Sequence, residues 1–114
     1  APFIIQHGAY YYLFVSWGLC CRGVNSTYRV MVGRSRDVTG PYLDKAGKSM
    51  LDGGGTQVLW PDGRWLGPGG ESLYSKGDET LMVFHAYDAK TGKPALQIST
   101  VGWKDGWPVI AIEP

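Results

Sequence analysis

Every apolar stretch in this chain is short, and each one ends at a turn residue. "FIIQH", "YYYLFVSW" and "LMVFHAYD" are rich in β-branched and aromatic residues, and no long stretch has the 3.6-residue periodicity of an amphipathic helix. Seventeen glycines and seven prolines in 114 residues supply the turns. This punctuation predicts an all-β fold: a sandwich, a barrel or a propeller. The expected strands of the first half are Phe3–His7, Tyr10–Trp17, Thr27–Arg34 and Thr56–Trp60. Those of the second half are Glu71–Ser75, Thr80–Asp88, Pro94–Trp103 and Trp107–Ile112.

The two halves repeat one pattern of short strand, tight turn, long aromatic strand, loop, third strand and fourth strand. "PFIIQHG" and "SLYSKGD" lie about seventy residues apart. Common propeller blades repeat every 40–50 residues or so, and the excess sits in the 35–55 loop. The reading is two four-stranded antiparallel propeller blades, residues 1–66 and 67–114, within one propeller domain. Such repeats bury their broad faces on neighbours, and about three or more are usually needed for stability. The chain is therefore expected to be incomplete or obligately oligomeric.

A formal net charge of +1 with scattered basic residues argues against a nucleic-acid partner. No apolar run approaches the roughly 20 residues that span a membrane, and no signal peptide is visible. Five tryptophans and seven tyrosines fill a β core or stack on the C–H faces of sugars. Adjacent cysteines rarely bond each other, because the eight-membered ring strains the peptide between them. Cys20 and Cys21 are therefore expected as small buried apolar residues, with no disulfide and no zinc site.

Most of the ten acidic residues stand beside glycine or lysine in turns, where aspartate bonds its own backbone. Glu71 differs. It opens the innermost strand of the second repeat, straight after "GPGG", where a propeller faces its central channel. It is either a site residue or an ion ligand. His7 precedes a turn glycine and is expected at the surface. His85, between Phe84 and Tyr87, is either a hydrogen-bonded core histidine or a site residue. No cluster has metal-ligand spacing, no serine sits in a nucleophile elbow, and "GGG" at 53–55 opens no helix. From the residues alone, the chain has no paired carboxylates, triad or metal cage.

Four stretches carry a resemblance: "APFIIQHGAYYYLFVSW", "CCRGVNSTYRVMVGRSRDVTGPYLDKAGKSMLDGGGT", "RWLGPGGESLYS" and "LMVFHAYDAKTGKPALQISTVGWKDGWPVI". In order, and over nearly the whole chain, they resemble the C-terminal part of the endo-α-1,5-L-arabinanases of glycoside hydrolase family 43. The resemblance implies the fourth and fifth blades of a five-bladed β-propeller about three times this length. It implies an inverting hydrolase with acid and base roughly 6.5–9.5 Å apart, acting on arabinan or arabino-oligosaccharides outside the cell or in the periplasm. It places the general acid, the glutamate of an "E-A-P" motif, immediately before Ala1, so no catalytic residue is expected in this chain. Many members have a histidine after "GPG" that helps hold a channel ion. Here "GPGGES" offers Gly70 and Glu71, which leaves Glu71 as the oxygen ligand for a calcium or sodium ion. The resemblance also puts the "CCRG" loop near the substrate cleft, so Phe3, Cys20, Cys21, Arg22, Glu71 and His85 are the candidate substrate contacts. The expected partners are upstream blades or, in a non-catalytic sugar-binding alternative, copies of the chain itself.

Overall fold

The computed structural model describes residues 2–59, 61 and 63–110. The first sheet is antiparallel with strands in sequence order: β1 (Phe3–His7), β2 (Tyr10–Trp17), β3 (Arg29–Ser35) and β4 (Thr56–Leu59). The alternation in "YYYLFVSW" builds it. Tyr12 and Phe14 point inward and are buried, while Leu13 and Val15 point to the other face. In the same way Val30 and Val32 of β3 reach the core, and Met31 is buried on the opposite side. Between β3 and β4 the chain makes a long excursion. It is pinned to β3 by a bridge from Arg34 to Leu43 and onward from Leu43 to Ser49.

The second sheet contains β5 (Trp65–Lys76), β6 (Glu79–Asp88) and β7 (Pro94–Thr100) in that order. A separate antiparallel hairpin follows, β8 (Gly102–Lys104) with β9 (Trp107–Val109). Two expectations change here. β5 starts at Trp65, six residues before Glu71 and two before the expected division at 66/67, because "WLGPGG" is itself extended. The expected third strand of this half is two strands, so this sheet has three strands among the described residues and not four. The break falls at Val101, whose side chain enters the core while its N–H bonds the Thr80 carbonyl. Beyond it the hairpin turns onto the first sheet. Trp103 stacks on His7 with ring centroids 3.8 Å apart, and Trp107 meets the Tyr12 ring edge-on. The Tyr12 hydroxyl donates to the Gly106 carbonyl at 2.5 Å.

One apolar cluster joins all three pieces, with Phe14, Val32, Leu73, Met82, Phe84 and Trp107 among its members. Fully burying a side chain such as Phe14 or Phe84 is worth roughly 1.5–3 kcal/mol. The thin dimension of the molecule is 20 Å. That accommodates two sheets about 10 Å apart with their outer side chains, and leaves both outer faces at the surface. Ile4 and Leu51 are exposed on one outer face, and Tyr74, Leu96 and Ile98 on the other.

Candidate functional site

At one end of the sheets the "GPGG" stretch lies under the loop between β2 and β3. The β5–β6 register slips twice here, between Leu66 and Gly69 and again between Gly69 and Ser72. Such slips re-aim side chains. A Cβ on Gly69 would collide with the Tyr28 ring. Gly70 has φ 63°, and a Cβ there would come within 2.9 Å of His85 Nδ1. The glycines are what allow Tyr28 and His85 to lie against this strand.

The second slip turns Glu71 toward the first sheet. Its side chain is 1% exposed. The Ser16 hydroxyl donates to Glu71 Oε1 at 2.8 Å and accepts from the Gly70 N–H at 3.0 Å. Glu71 Oε2 is buried with no hydrogen-bond partner among the described residues. Burial pushes the Glu71 carboxyl above the usual range, and the Ser16 hydrogen bond pulls partly the other way. His85 lies near the Tyr28 and Tyr87 rings, at 5.8 and 5.5 Å between centroids, and its Nε2 is also buried without a partner. Burial lowers its pKa, which favours the neutral imidazole.

The loop over this group is held from both ends. The Leu19 carbonyl accepts from Thr27 and Tyr28, and the Arg22 N–H reaches Ser26 Oγ at 3.0 Å. The Cys21 N–H donates to the Tyr87 hydroxyl at 2.8 Å, which ties the loop to β6. Cys20 and Cys21 are joined to each other in a disulfide, and this corrects the expectation of two free buried thiols. Cys20 is half-buried and Cys21 exposed, because the loop turns sharply with Cys21 at φ 68°. That places the pair at the surface of a turn and not in the core.

The structure thus gathers Cys20, Cys21, Glu71 and His85 at one end. Arg22 is in the same loop with its side chain exposed. Phe3 is half-buried and packs partly on the core cluster. The sequence reading missed Ser16, Tyr28 and Tyr87. Ser16 could have been noticed as the polar member of the inward face that Tyr12 and Phe14 define.

Chemically, the group offers a carboxyl that holds its proton more tightly than an exposed one, an imidazole biased to its neutral form and a bridging hydroxyl. Among the described residues no three His, Cys, Asp or Glu side chains converge on a metal position. Calcium takes about six to eight oxygens, so Glu71 Oε2 alone does not make its cage.

The sequence matches the family model of the Glycosyl hydrolases family 43 over residues 1–108. It is 50% identical over 109 residues to the extracellular endo-α-(1→5)-L-arabinanase 1 of Bacillus subtilis, covering 95% of this chain and 33% of that protein. It is 48% identical over 112 residues to the extracellular exo-α-(1→5)-L-arabinofuranosidase ArbA of Cellvibrio japonicus, covering 96% and 32%. The structure of Cellvibrio cellulosa α-L-arabinanase complexed with arabinohexaose superimposes with a TM-score of 0.93 at 48% identity, over 97% of this chain and 36% of that one. The chain therefore spans about a third of the length of the relatives it matches. Its facing antiparallel sheets are blades of the propeller those relatives share, and the match runs through the strands that carry Ser16, Glu71 and His85. On sequence and fold together, the chain belongs to glycoside hydrolase family 43.

Proposed function

We propose that this chain is the C-terminal two-blade portion of an arabinan-cleaving glycoside hydrolase, and that it walls one side of the substrate site. The carrying observation is the group at the end of β2, β5 and β6, where the Cys20–Arg22 loop lies over buried Glu71 and half-buried His85 within a chain that family 43 matches almost end to end. An inverting hydrolase needs two carboxyl groups roughly 6.5–9.5 Å apart. Glu71 is buried and bonded to Ser16, so this reading draws the acid and base from the remaining two-thirds of the enzyme.

The substrate is a chain of α-1,5-linked arabinofuranosyl units. Support comes from the arabinohexaose complex of the Cellvibrio cellulosa relative and from the activities named for both bacterial relatives. Those two relatives are called extracellular, which supports a secreted location. Arg22 and the Cys20–Cys21 turn contact the sugar hydroxyls, with Phe3 lending apolar surface. Glu71 and His85 hold the floor beneath. A calcium or sodium ion would take Glu71 Oε2 as one ligand and draw the rest from blades outside this chain. No step of this reading passes through it.

The test is complementation. Linear arabinan is incubated with the chain alone, with an upstream three-blade fragment alone, and with both, and new reducing ends are counted. The reading expects hydrolysis only from the pair, and a several-fold higher KM with Arg22→Ala. Hydrolysis by this chain alone, or no rescue by a fragment shown to bind it, would sink the reading.

A further inference from the structure

We propose that a second cleft, at the opposite end of β2, binds an acidic oligosaccharide through its carboxylates. Three separate segments build it: the start of β2, the excursion after β3 and the β8–β9 hairpin. Tyr10, Arg34, Arg36, Leu43, Lys45 and Trp107 line a cleft of about 400 Å³. Tyr10 and Ser16 are six residues apart on β2, about 20 Å at some 3.4 Å per residue. A ligand here therefore leaves the Ser16–Glu71 group untouched, and the inference stands independently of the hydrolase reading.

The cations are built in, and among the described residues no carboxylate is paired with them. The Arg34 guanidinium carbon lies 4.1 Å from the Tyr10 ring centroid and 4.4 Å from that of Trp107. Arg34 Nη1 donates to the Gly106 carbonyl at 3.0 Å. The two rings and the carbonyl fix the guanidinium without cancelling its charge. Arg36 lies 5.1 Å from the same Tyr10 ring and its Nη2 is 3.4 Å from the Tyr10 hydroxyl, so a second guanidinium stands beside the first. Lys45 adds a third positive charge. Among the described residues Asp44 is the one acidic residue lining the cleft, and its oxygens are turned back onto the loop. Oδ1 accepts from the Ala46 and Lys48 N–H groups, and Oδ2 from the Gly55 N–H. The excursion, the part of the first repeat with no counterpart in the second, thus uses its carboxylate to shape its own turn and presents its lysine.

Guanidinium forks suit carboxylates. The volume exceeds what one small inorganic anion fills and falls within the range, about 300–1,000 Å³, of sites for larger organic ligands. Cations spaced along an open cleft with apolar patches at Pro41 and Leu43 match a polymer that repeats a carboxylate on each sugar and offers C–H faces between them.

Trigalacturonate is the probe, titrated into the full chain by calorimetry and by two-dimensional NMR at low salt. Binding is expected with shifts at the Trp107 indole, and it should weaken as salt rises. The exposed pair Arg36→Ala with Lys45→Ala should weaken it about tenfold or more while leaving the melting temperature unchanged. Arg34 is left intact because it also holds the hairpin. The carboxyl-reduced trisaccharide should not bind. Equal binding of the reduced sugar, unchanged affinity in the double variant, no binding of trigalacturonate, or the same shifts from inorganic phosphate at equal concentration would each overturn the proposal.

Discussion

A buried carboxyl with one oxygen on Ser16 and the other bare is a poor place for a negative charge. Glu71 therefore binds its proton more tightly in the folded chain than its ordinary value of 4.5 implies. The resulting stabilisation is complete below pH 4.5 and is lost as pH rises through the raised folded value. His85 works in the opposite sense. Its pKa is lowered from 6.5, so stability is complete above pH 6.5 and is lost as pH falls toward the folded value. The two slopes oppose each other between these limits, and variants separate them. Glu71→Gln should leave the melting temperature unchanged below pH 4.5 and raise it increasingly as pH climbs above that, because ionising the wild-type carboxyl costs stability. An unchanged melting temperature at pH 7 would show that Glu71 is solvated. Gly70→Ala tests the backbone at the same spot. With φ at 63° and His85 in the way, it should cost roughly 1–3 kcal/mol in denaturant unfolding, and a cost near zero would refute the close approach. Glu71 and His85 were legible because each is chemically out of place in its stretch. Ser16 stands out only as a polar residue on an inward face, and its pairing with Glu71 was not legible because that partner is 55 residues away. The bonded cysteines were misread because a general rule about adjacent thiols says nothing of a loop that turns at Cys21.

At the scale of elements, strand alternation did most of the placing. β1 and β2 have the boundaries the sequence predicts, since a period-two pattern bounded by Gly8 and Gly18 allows little else. The failures have one cause, a tertiary contact stronger than the local pattern. "WLGPGG" lies outside the strand expected from Glu71, yet it pairs with β6 through two bulges because Tyr28 and Ser26 pack onto its glycines. "PALQISTVGW" reads as one strand, yet it splits at Val101 because Trp103 and Trp107 gain more by packing on the first sheet. Trp107 is 7% exposed, contacts Tyr12 and backs Arg34. Trp107→Ala should therefore cost about 3–5 kcal/mol. It should also shift the Tyr12 and Arg34 NMR signals, whereas a loss under 1 kcal/mol would mean the hairpin is detached.

For the whole molecule, the two outer faces decide behaviour. Leu96 is 71% exposed and Ile98 58%, on one strand of one outer face, and Leu51 is 92% exposed on the other. Contiguous apolar surface of a few hundred Å² favours association. Light scattering after size exclusion should give a mass above the 12.5 kDa of one chain, and Leu96→Lys with Ile98→Lys should bring it down. A closed oligomer of defined mass would support self-completion by copies. A monomer that binds an upstream fragment would support completion by the missing blades.

The sequence by itself determined the all-β class and the family. Each follows from information carried locally or in order along the chain: alternation, turn residues and motif succession. Only the tertiary structure decided that Glu71 meets Ser16, that the cysteine turn is tied to Tyr87, and that Arg34 lies between Tyr10 and Trp107. Those pairings join residues 24 to 73 positions apart. They depend on how one sheet stacks on the next, and strand periodicity carries no record of that distance.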